Sequence, residues 1–554
     1  MELTFDDVGS NNEAFSSLIN LISKQSLKKL ASAKRDELME SSFDLEPVTL
    51  EQMTSIFSKL HQFIWQTEKK TPSGAFQELM KIVFIKIKKD GELRQVIGKD
   101  GKPKVKGVVF SVAWIQNQTE SENPINDLLF KKLIKDLEKE IRHKKKRRIF
   151  DEDDDIKLNP STTLKVVREL EHKDFHLMDE DVHGRMFESF LDATVRGTEL
   201  GQFFTPRDVV NLMVALADIQ VSKESFESVL DACCGSGGFL ISAMASMIDK
   251  SRALVGMTNV DREALEDRIR NYALLGIDAG SDPPIHRVAR MNMYLHGDGG
   301  SNIYFADALD KSIGQIGKSD LEIDDEIKHL KVLLLDQNTK FDVVLSNPPF
   351  SMKYSRDHRE QEEILNQYDI GGFAKKVKSL PSSVMFLERY KELVATGGRI
   401  LAVIDESILS GESYSTVREY IRDQFIITGI VSLPGDAFKR ADARVKTSIL
   451  ILRLRHPNEQ QGDIFMETSV YLGLTAKTAK RIGISRTELA REKPQEVDRI
   501  VSNFKLFLEG KPGGHVVSTK NIEDRLDVKN FLFAHDDQYV YLLDVYLCDS
   551  TEED

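Results

Sequence analysis

The chain has 554 residues, with 30% charged and 41% hydrophobic side chains, which is ordinary for a globular protein and too long for one compact core. Its formal net charge of −13 does not suit a protein that grips DNA unaided through a broad basic surface. Three cysteines, two of them adjacent, exclude a disulfide framework and disfavour a cysteine-based zinc site. The chain shows neither an apolar run long enough for a bilayer nor a signal-peptide pattern, so we expect a cytoplasmic protein.

The first part of the chain, residues 1–195, is predicted to be mainly helical. Apolar residues recur there at three- and four-residue spacing over 50–64, 76–87 and 129–141. A basic, glycine-punctuated loop over 98–107 separates the second and third of these helices.

A basic run, Arg142–Arg148, is followed closely by an acidic run, Asp151–Asp155. Opposite charges this close favour mutual compensation in a solvated linker. A DNA-contacting patch remains the alternative, and the sequence does not decide the role of the basic run.

Residues 196–455 alternate short apolar runs with helical stretches, which predicts a doubly wound α/β sheet whose ligand crevice lies at the carboxyl ends of the strands. The predicted strands are 229–230, 274–277, 341–346, 399–404, 427–432 and 447–453. Ahead of them, Thr205 and Pro206 predict a helix start, with the threonine as the cap and the proline in the first turn.

The first predicted strand runs into a glycine-rich turn, Asp231–Phe239, and then a helix. Gly235 and Gly237 allow a tight turn and a close approach of the backbone to a ligand. The spacing is not the Gly-x-Gly-x-x-Gly of dinucleotide enzymes. We interpret Cys233 and Cys234 as small packing residues rather than nucleophiles.

Acidic residues at later strand ends are candidates for binding a nucleotide-like ligand. Asp278 ends the second strand, where a carboxylate can accept hydrogen bonds from two ribose hydroxyls. Asp261 is a rival, but it is better placed to begin the helix before that strand. Asp307 follows an apolar pair, where a lone aspartate is usually a turn residue.

The sequence Asn347-Pro-Pro-Phe350 follows the strand 341–346. An asparagine oxygen and the Pro348 carbonyl could both accept from the exocyclic amine of a planar base. The prolines would fix the backbone so that the two acceptors converge, and Phe350 could stack on an extruded base.

In this order, these motifs resemble those of the S-adenosylmethionine-dependent adenine-N6 DNA methyltransferases, in their gamma group. The flanking sequences 283–299, 396–404 and 430–449 narrow the resemblance to the methylation subunit of type I restriction–modification systems. The resemblance covers residues 175–455 and is weaker on either side. Ala232 stands where the family usually has proline.

The resemblance implies a class I methyltransferase fold, a Rossmann-like doubly wound sheet, with a mainly helical N-terminal domain and a helical C-terminal tail. It implies S-adenosylmethionine as cofactor and no metal. The implied catalytic residues are Asn347, Pro348, Pro349 and Phe350. The implied cofactor-binding residues are Phe204, Thr205, Asp231, Cys234, Gly235, Gly237, Gly238, Asp278 and Asp307.

We therefore expect a helical domain for DNA or partner interaction over 1–195, a catalytic domain over 196–455 and a partner-docking tail over 456–554. The sequence shows no target-recognition module, no nuclease carboxylate cluster and no Walker-type phosphate loop. The resemblance thus implies double-stranded DNA and a separate specificity subunit as partners, with a restriction or translocase subunit as a further candidate.

Methylation of RNA adenine or protein glutamine, and a catalytically idle structural role in a defence complex, remain alternatives. The recognition sequence, the subunit ratio and any preference for hemimethylated DNA are not indicated.

Overall fold

The computed structural model describes residues 46–96, 109–144, 147–175, 205–297, 302–314, 321–438, 445–513, 515–517 and 524–528. The chain divides into two compact units. One comprises residues 1–137 and 151–196, and the other comprises residues 138–150 and 197–554.

The first unit is mainly helical in its described part, as the apolar spacing predicts. Its helices are α1 (Leu50–Glu68), α2 (Pro72–Val96), α3 (Val112–Gln116), the start of α4 (Lys131–Lys144) and α5 (Pro160–Leu170), with a π-helical turn over Ile125–Phe130. Two-residue strands β1 (Glu46–Pro47) and β2 (Lys173–Asp174) pair in parallel. Helix α1 begins at a reciprocal cap, because Thr49 accepts from the Gln52 backbone and the Gln52 side chain accepts from the Thr49 backbone.

The core of this unit contains an ion pair. Lys86 and Asp90, one turn apart on α2, lie 2.6 Å from each other with side chains only 1% exposed. The rings of Phe110 and Phe175 lie 5.6 and 5.9 Å from the Lys86 nitrogen. Asp90 also accepts from the Phe175 backbone at 3.0 Å. Burial nevertheless raises the pKa of the Asp90 carboxyl to about 6.

The second unit is built on one sheet, which in the described residues has the strand order β13-β12-β10-β11-β9-β6-β3-β4-β5. The strands are β3 (Val229–Asp231), β4 (Leu274–Asp278), β5 (Ile303–Phe305), β6 (Phe341–Ser346), β9 (Val394–Asp405), β10 (Phe425–Ser432), β11 (Thr447–Leu454), β12 (Ile464–Thr468) and β13 (His515–Val517). The five strands from β5 to β9 are parallel, and β11 is inserted antiparallel between β9 and β10. This is the mostly parallel sheet of a class I methyltransferase, which confirms the predicted fold class.

Helices cover both faces of the sheet. They are α6 (Arg207–Ala217), α7 (Gly238–Ala253), α8 (Asn259–Tyr272), α9 (Ile285–Leu295), α10 (Leu321–Lys331), α11 (Arg359–Leu365), α12 (Ser382–Leu393), α13 (Glu406–Ser410), α14 (Ser415–Gln424), α15 (Ala476–Arg481) and α16 (Arg486–Leu508). Alternate residues of one strand enter different apolar clusters: Ile400 and Ala402 pack on one face, Leu401 and Val403 on the other. A strand buried on both faces needs apolar residues throughout, which is why these runs do not alternate with polar residues.

The sheet continues past residue 455. Strand β12 pairs with β10, and Ile500 and Phe504 of α16 pack in the same apolar cluster as Phe465 of β12. The predicted partner-docking role of 456–554 stays a prediction, but part of that stretch belongs to the sheet and its covering helices.

Each predicted strand is present, most of them longer by one to six residues, whereas β5, β12 and β13 were not predicted. A small hairpin was also missed, formed by β7 (Lys353–Ser355) and β8 (Ser379–Pro381). Within the described ranges, no helix combines the length and apolarity needed to cross a bilayer.

Candidate active site

The carboxyl ends of four neighbouring parallel strands bring the predicted site residues to one edge of the sheet. Asp231 ends β3, Asp278 ends β4, and Asp307 lies two residues after β5. On the other side of β3, strand β6 ends at Ser346 and leads directly into Asn347. The strand pairings that align these ends are parallel throughout.

The turn after β3 is held tightly against its neighbours. Gly235 and Gly237 adopt φ angles of 53° and 85°, a region that favours glycine. The Asn292 side chain of α9 donates to the Ser236 carbonyl at 3.0 Å. Helix α7 begins at Gly238, so the backbone turns from strand to helix within the predicted glycine loop.

Asp278 occupies the centre of this arrangement. Its carboxylate accepts from the Gly235 backbone at 2.9 Å and from the Gly280 backbone at 2.8 Å. Burial raises the pKa of Asp278, while these two hydrogen bonds oppose the shift. The rival residue Asp261 is exposed and lies in the first turn of α8, where it bonds to the cap residue Thr258. The predicted positions of both residues are therefore confirmed.

Asp231 and Asp307 are the other carboxylates of this edge. Asp231 is 1% exposed and accepts from the Cys233 backbone at 3.2 Å. Burial raises the pKa of Asp231, and the neighbouring Asp278 charge raises it further. Asp307 accepts from the Leu309 backbone at 2.9 Å and from the Tyr354 hydroxyl at 2.5 Å, and burial raises its pKa as well.

No cation of the described ranges acts on Asp231 or Asp278, and for Asp307 the charge of Arg389 only partly opposes the rise in pKa that burial causes. Buried carboxylates without a cationic partner favour a ligand that brings hydrogen-bond donors and positive charge. Hydroxyls, an amine and a cationic centre on one ligand would fit this set of acceptors. The residues present therefore suit the cofactor that the sequence predicts.

The corner after β6, formed by residues Asn347–Phe350, is hydrogen-bonded to the chain just before α6. The Asn347 side-chain nitrogen donates to the Thr205 hydroxyl at 2.9 Å, across 142 positions of sequence. The expectation that Thr205 caps a helix is wrong: α6 begins at Arg207, Pro206 stands at the cap position, and no side chain caps that end. The Thr205 hydroxyl instead accepts the hydrogen bond from Asn347. Phe204 lies outside the described residues.

The prolines and the phenylalanine of the corner are also fixed by neighbours. The Pro349 carbonyl accepts from the Ser382 hydroxyl at 2.7 Å. Pro348 is buried, and Phe350 is half-buried with its ring edge-on to Phe438 at 5.8 Å. An aromatic pair thus borders the corner where a planar group would enter.

A chain of buried polar groups lies beneath the corner. Tyr390 donates to the Ser346 hydroxyl at 2.7 Å, and Ser346 lies 3.0 Å from the Cys233 sulfur. Burial raises the pKa of both Cys233 and Cys234, which keeps them as thiols. This supports the interpretation of the two cysteines as packing residues and links the glycine loop to the strand before Asn347.

The end of the basic run is bound within the protein rather than lying in a solvated linker. Arg147 donates to the Tyr304 hydroxyl at 2.9 Å and lies over its ring at 4.7 Å. Arg148 pairs with Glu138 at 2.7 Å. In the acidic run, Asp155 pairs with Lys131 at 2.8 Å. Residues of both runs therefore have partners that belong to neither run.

Comparison with known protein families decides the family. The sequence profile named N-6 DNA Methylase matches residues 178–534. The chain belongs to this family. The match extends past residue 455 and so includes β12, which pairs in the sheet, and α16, which packs against it.

Curated relatives agree with this assignment. The methylase subunit of the type I restriction enzyme MjaIX of Methanocaldococcus jannaschii is 26% identical over 338 residues, covering 60% of this chain and 50% of that protein. The methylase subunit of the type I restriction enzyme EcoEI of Escherichia coli is 25% identical over 344 residues, covering 61% and 60%. The chain thus spans half to three fifths of the length of these relatives.

Solved structures share the fold. One is described as a modification subunit of a type I restriction enzyme from Vibrio vulnificus, with a TM-score of 0.57, 18% identity and coverage of 86% of this chain and 94% of that one. Another is the methyltransferase subunit of a type I restriction–modification system from Streptococcus thermophilus, with a TM-score of 0.51, 16% identity and coverage of 87% and 99%.

Sequence reasoning missed several residues that shape this site. Tyr354, Asn292 and Phe438 each contact a predicted site residue or its loop, and none was singled out. Asn292 and Phe438 lie in stretches whose resemblance to the family was recognised without a role for the residue. Tyr354 carries no local signal, because its partner Asp307 lies 47 positions away.

Proposed function

We propose that this protein transfers a methyl group from S-adenosylmethionine to the N6 amine of an adenine in DNA, as the modification subunit of a type I restriction–modification complex. The observation that carries the proposal is the position of Asn347–Phe350, directly beside the glycine loop at the carboxyl edge of the sheet. Family membership and the names of the relatives support the same chemistry.

The cofactor would lie along the glycine loop. When bound, S-adenosylmethionine supplies a methyl group on a positively charged sulfonium. Asp278 would accept from the ribose hydroxyls, Asp307 from the adenine amine and Asp231 from the amino group. Thr205 and the main chain at Cys234, Gly235, Gly237 and Gly238 would line the remaining contacts, with Phe204 as a further predicted contact.

The catalytic corner would activate the target amine. Adenine N6 is a poor nucleophile because its lone pair is delocalised into the ring. If Asn347 Oδ1 and the Pro348 carbonyl both accept from the amine, the lone pair is localised on nitrogen. Thr205 supports this role, because a hydroxyl that holds the amide nitrogen turns the amide oxygen to the other side. Pro349 stiffens the turn, and positioning rather than covalent catalysis carries the reaction.

An adenine can reach this corner only if it leaves the DNA stack. Phe350 would stack on the extruded base, with Phe438 packed against its edge. Base stacking on an aromatic ring is typically worth about 1–3 kcal/mol, which offsets part of the cost of extrusion.

Sequence recognition requires contacts to base edges, whereas phosphate contacts only position a protein on DNA. The corner receives one base and reads no neighbours. We therefore propose that a separate specificity subunit reads the DNA, docking on the helical domain 1–195 and on the stretch after 456. A restriction or translocase subunit is a further proposed partner.

The proposal is tested with the purified chain, with and without its specificity subunit. Alone, the chain should bind S-adenosylmethionine but bind DNA weakly, with an affinity that falls steeply as salt rises. Added specificity subunit should restore site-specific methylation, measured by transfer of labelled methyl groups to adenine in DNA with a single site.

Three results would contradict this proposal. Efficient sequence-specific methylation by the chain alone would show that a recognition element lies within it. Absence of cofactor binding by the folded chain would favour an idle structural role. Methyl transfer to RNA or to protein glutamine, with none to DNA, would show that DNA is not the substrate.

The assignment of Asp278 has its own test. Asp278→Ala removes a charged acceptor, so cofactor binding should weaken by roughly 1.5–3 kcal/mol in calorimetric titration. It also leaves the Gly235 and Gly280 amides without their acceptor, so the melting temperature should fall. Asp261→Ala is the matched control at the exposed helix start, and it should leave cofactor affinity unchanged. The reverse pattern would show that Asp261 is the ribose-binding residue.

A further inference from the structure

The Asp307 carboxylate is held from two sides. The Leu309 backbone, two residues away, donates to Oδ1 at 2.9 Å. The Tyr354 hydroxyl donates to Oδ2 at 2.5 Å from the hairpin strand β7, which begins three residues after Phe350. Tyr354 is only 3% exposed, so this hydroxyl is fixed by packing rather than by solvent.

The chain between the catalytic corner and α12 also holds the rest of the Asp307 loop. Tyr368 donates to the Leu309 carbonyl at 2.6 Å. Gln367 accepts from the Lys311 backbone at 2.6 Å and donates to Asp310 at 2.9 Å. The loop that follows β5 is thus attached to the segment that follows the catalytic corner, and of these contacts the one from Tyr354 reaches the Asp307 carboxylate itself.

We propose that Tyr354 is a positioning residue that orients the Asp307 carboxylate toward the adenine amine of the cofactor and ties it to the segment following the catalytic corner. This inference rests on the proposed function, since it requires Asp307 to face the cofactor. It adds a residue that neither the motif pattern nor the family match assigns.

The chemistry of the carboxylate supports this role. An ionised carboxylate has about four acceptor positions, so two donors from the protein leave room for a third from a ligand. Burial raises the pKa of Asp307, and the Tyr354 hydrogen bond opposes that rise. Tyr354 therefore helps to keep Asp307 ionised, which is the form that accepts a hydrogen bond from an amine.

The test compares two ligands in the full chain by calorimetric titration. One is S-adenosylhomocysteine, and the other is S-inosylhomocysteine, which carries a carbonyl oxygen where adenine carries its amine. Wild-type protein should prefer the adenosyl ligand by roughly tenfold or more, the value of one hydrogen bond to a charged group. In Tyr354→Phe that preference should fall to within about threefold, with the affinity for the inosyl ligand unchanged.

Tyr368→Phe is the matched control. It deletes the same hydroxyl from a tyrosine that is likewise buried, 2% exposed, and bonded to the same loop, but at a backbone carbonyl. It should keep the wild-type preference. Thermal unfolding of both variants reports any general loss of packing.

Four outcomes would overturn the inference. An unchanged preference in Tyr354→Phe would show that the hydroxyl does not position Asp307. An equal loss of affinity for both ligands in Tyr354→Phe would show that Tyr354 only supports the fold. Equal affinity of the wild-type chain for both ligands would show that Asp307 does not read the amine. If the wild-type chain binds neither ligand, the proposed cofactor site itself falls, and this inference falls with it.

Discussion

Asn347→Ala should reduce methyl transfer by about 10²–10³-fold or more, the typical cost of removing one preorganised polar group from a reacting centre. The reason is that alanine offers no acceptor for the adenine amine, so the lone pair stays delocalised. Cofactor affinity should stay within about twofold of wild type, because in this proposal Asn347 acts on the target base. Single-turnover methylation by the assembled complex, together with calorimetric titration of the cofactor, measures both quantities.

Thr205→Val keeps the Asn347 oxygen that accepts from the base but removes the hydroxyl that orients it. The valine is nearly isosteric but cannot accept from the Asn347 amide nitrogen at the 2.9 Å contact. The asparagine oxygen remains, yet its orientation is no longer fixed, so the rate should fall by less than in Asn347→Ala.

A variant Asn347→Ala that loses cofactor binding and methyl transfer in parallel would indicate misfolding or a wrong assignment. A Thr205→Val variant that is as severe as Asn347→Ala, with cofactor affinity kept, would place the threonine itself at the reacting base.

The edge of the sheet could be predicted from sequence because it depends on local signals. The run 341–346 contains the continuous apolar stretch Val343–Leu345, which indicates a strand buried on both faces, and the residue after the run then falls at a strand end. Asp278 was placed in the same way. The parallel order of the strands does the rest, since it aligns their carboxyl ends without any further information from side chains.

Contacts between distant segments could not be predicted in this way. Thr205 carries a local signal for a helix cap, and that signal is wrong because Asn347, 142 positions away, offers its hydroxyl a partner. A threonine hydroxyl can accept from either a backbone amide or a side-chain amide. Tertiary structure therefore decides its partner.

Short strands were missed for a different reason. Strand β5 has only three residues, Ile303–Phe305, which is too few to show a period. Strand β12, Ile464–Thr468, lies in a stretch whose surroundings are polar and helical. Its pairing with β10 gives it an apolar environment that composition alone did not reveal.

The helical unit holds a position where a single substitution should cost much stability. Lys86→Met should lower the free energy of unfolding by about 3–5 kcal/mol, because it leaves the buried Asp90 carboxylate without its partner. Chemical denaturation monitored by circular dichroism measures this loss. The two side chains are each 1% exposed, so water cannot replace the missing ammonium group.

The same variant has a pH signature. Folding raises the pKa of Asp90 to about 6, so the contribution of this carboxyl is full at low pH and is lost as pH rises through that value. Without the lysine the folded pKa should rise further, since Lys86 opposes the effect of burial. The penalty of Lys86→Met should therefore shrink as pH falls from about 8 to about 5, where the carboxyl becomes neutral.

Lys89→Met on the same helix is the matched control. Lys89 lies 2.6 Å from Glu92, as close as the buried pair, but Glu92 is 58% exposed. Its loss should cost less than about 1 kcal/mol and show no comparable dependence on pH, because solvent screens an exposed pair. Equal losses for the two variants would mean that burial does not set the strength of the Lys86–Asp90 pair. A penalty for Lys86→Met that grows as pH falls would mean that the lysine, rather than the carboxylate, is the group that the fold cannot leave charged.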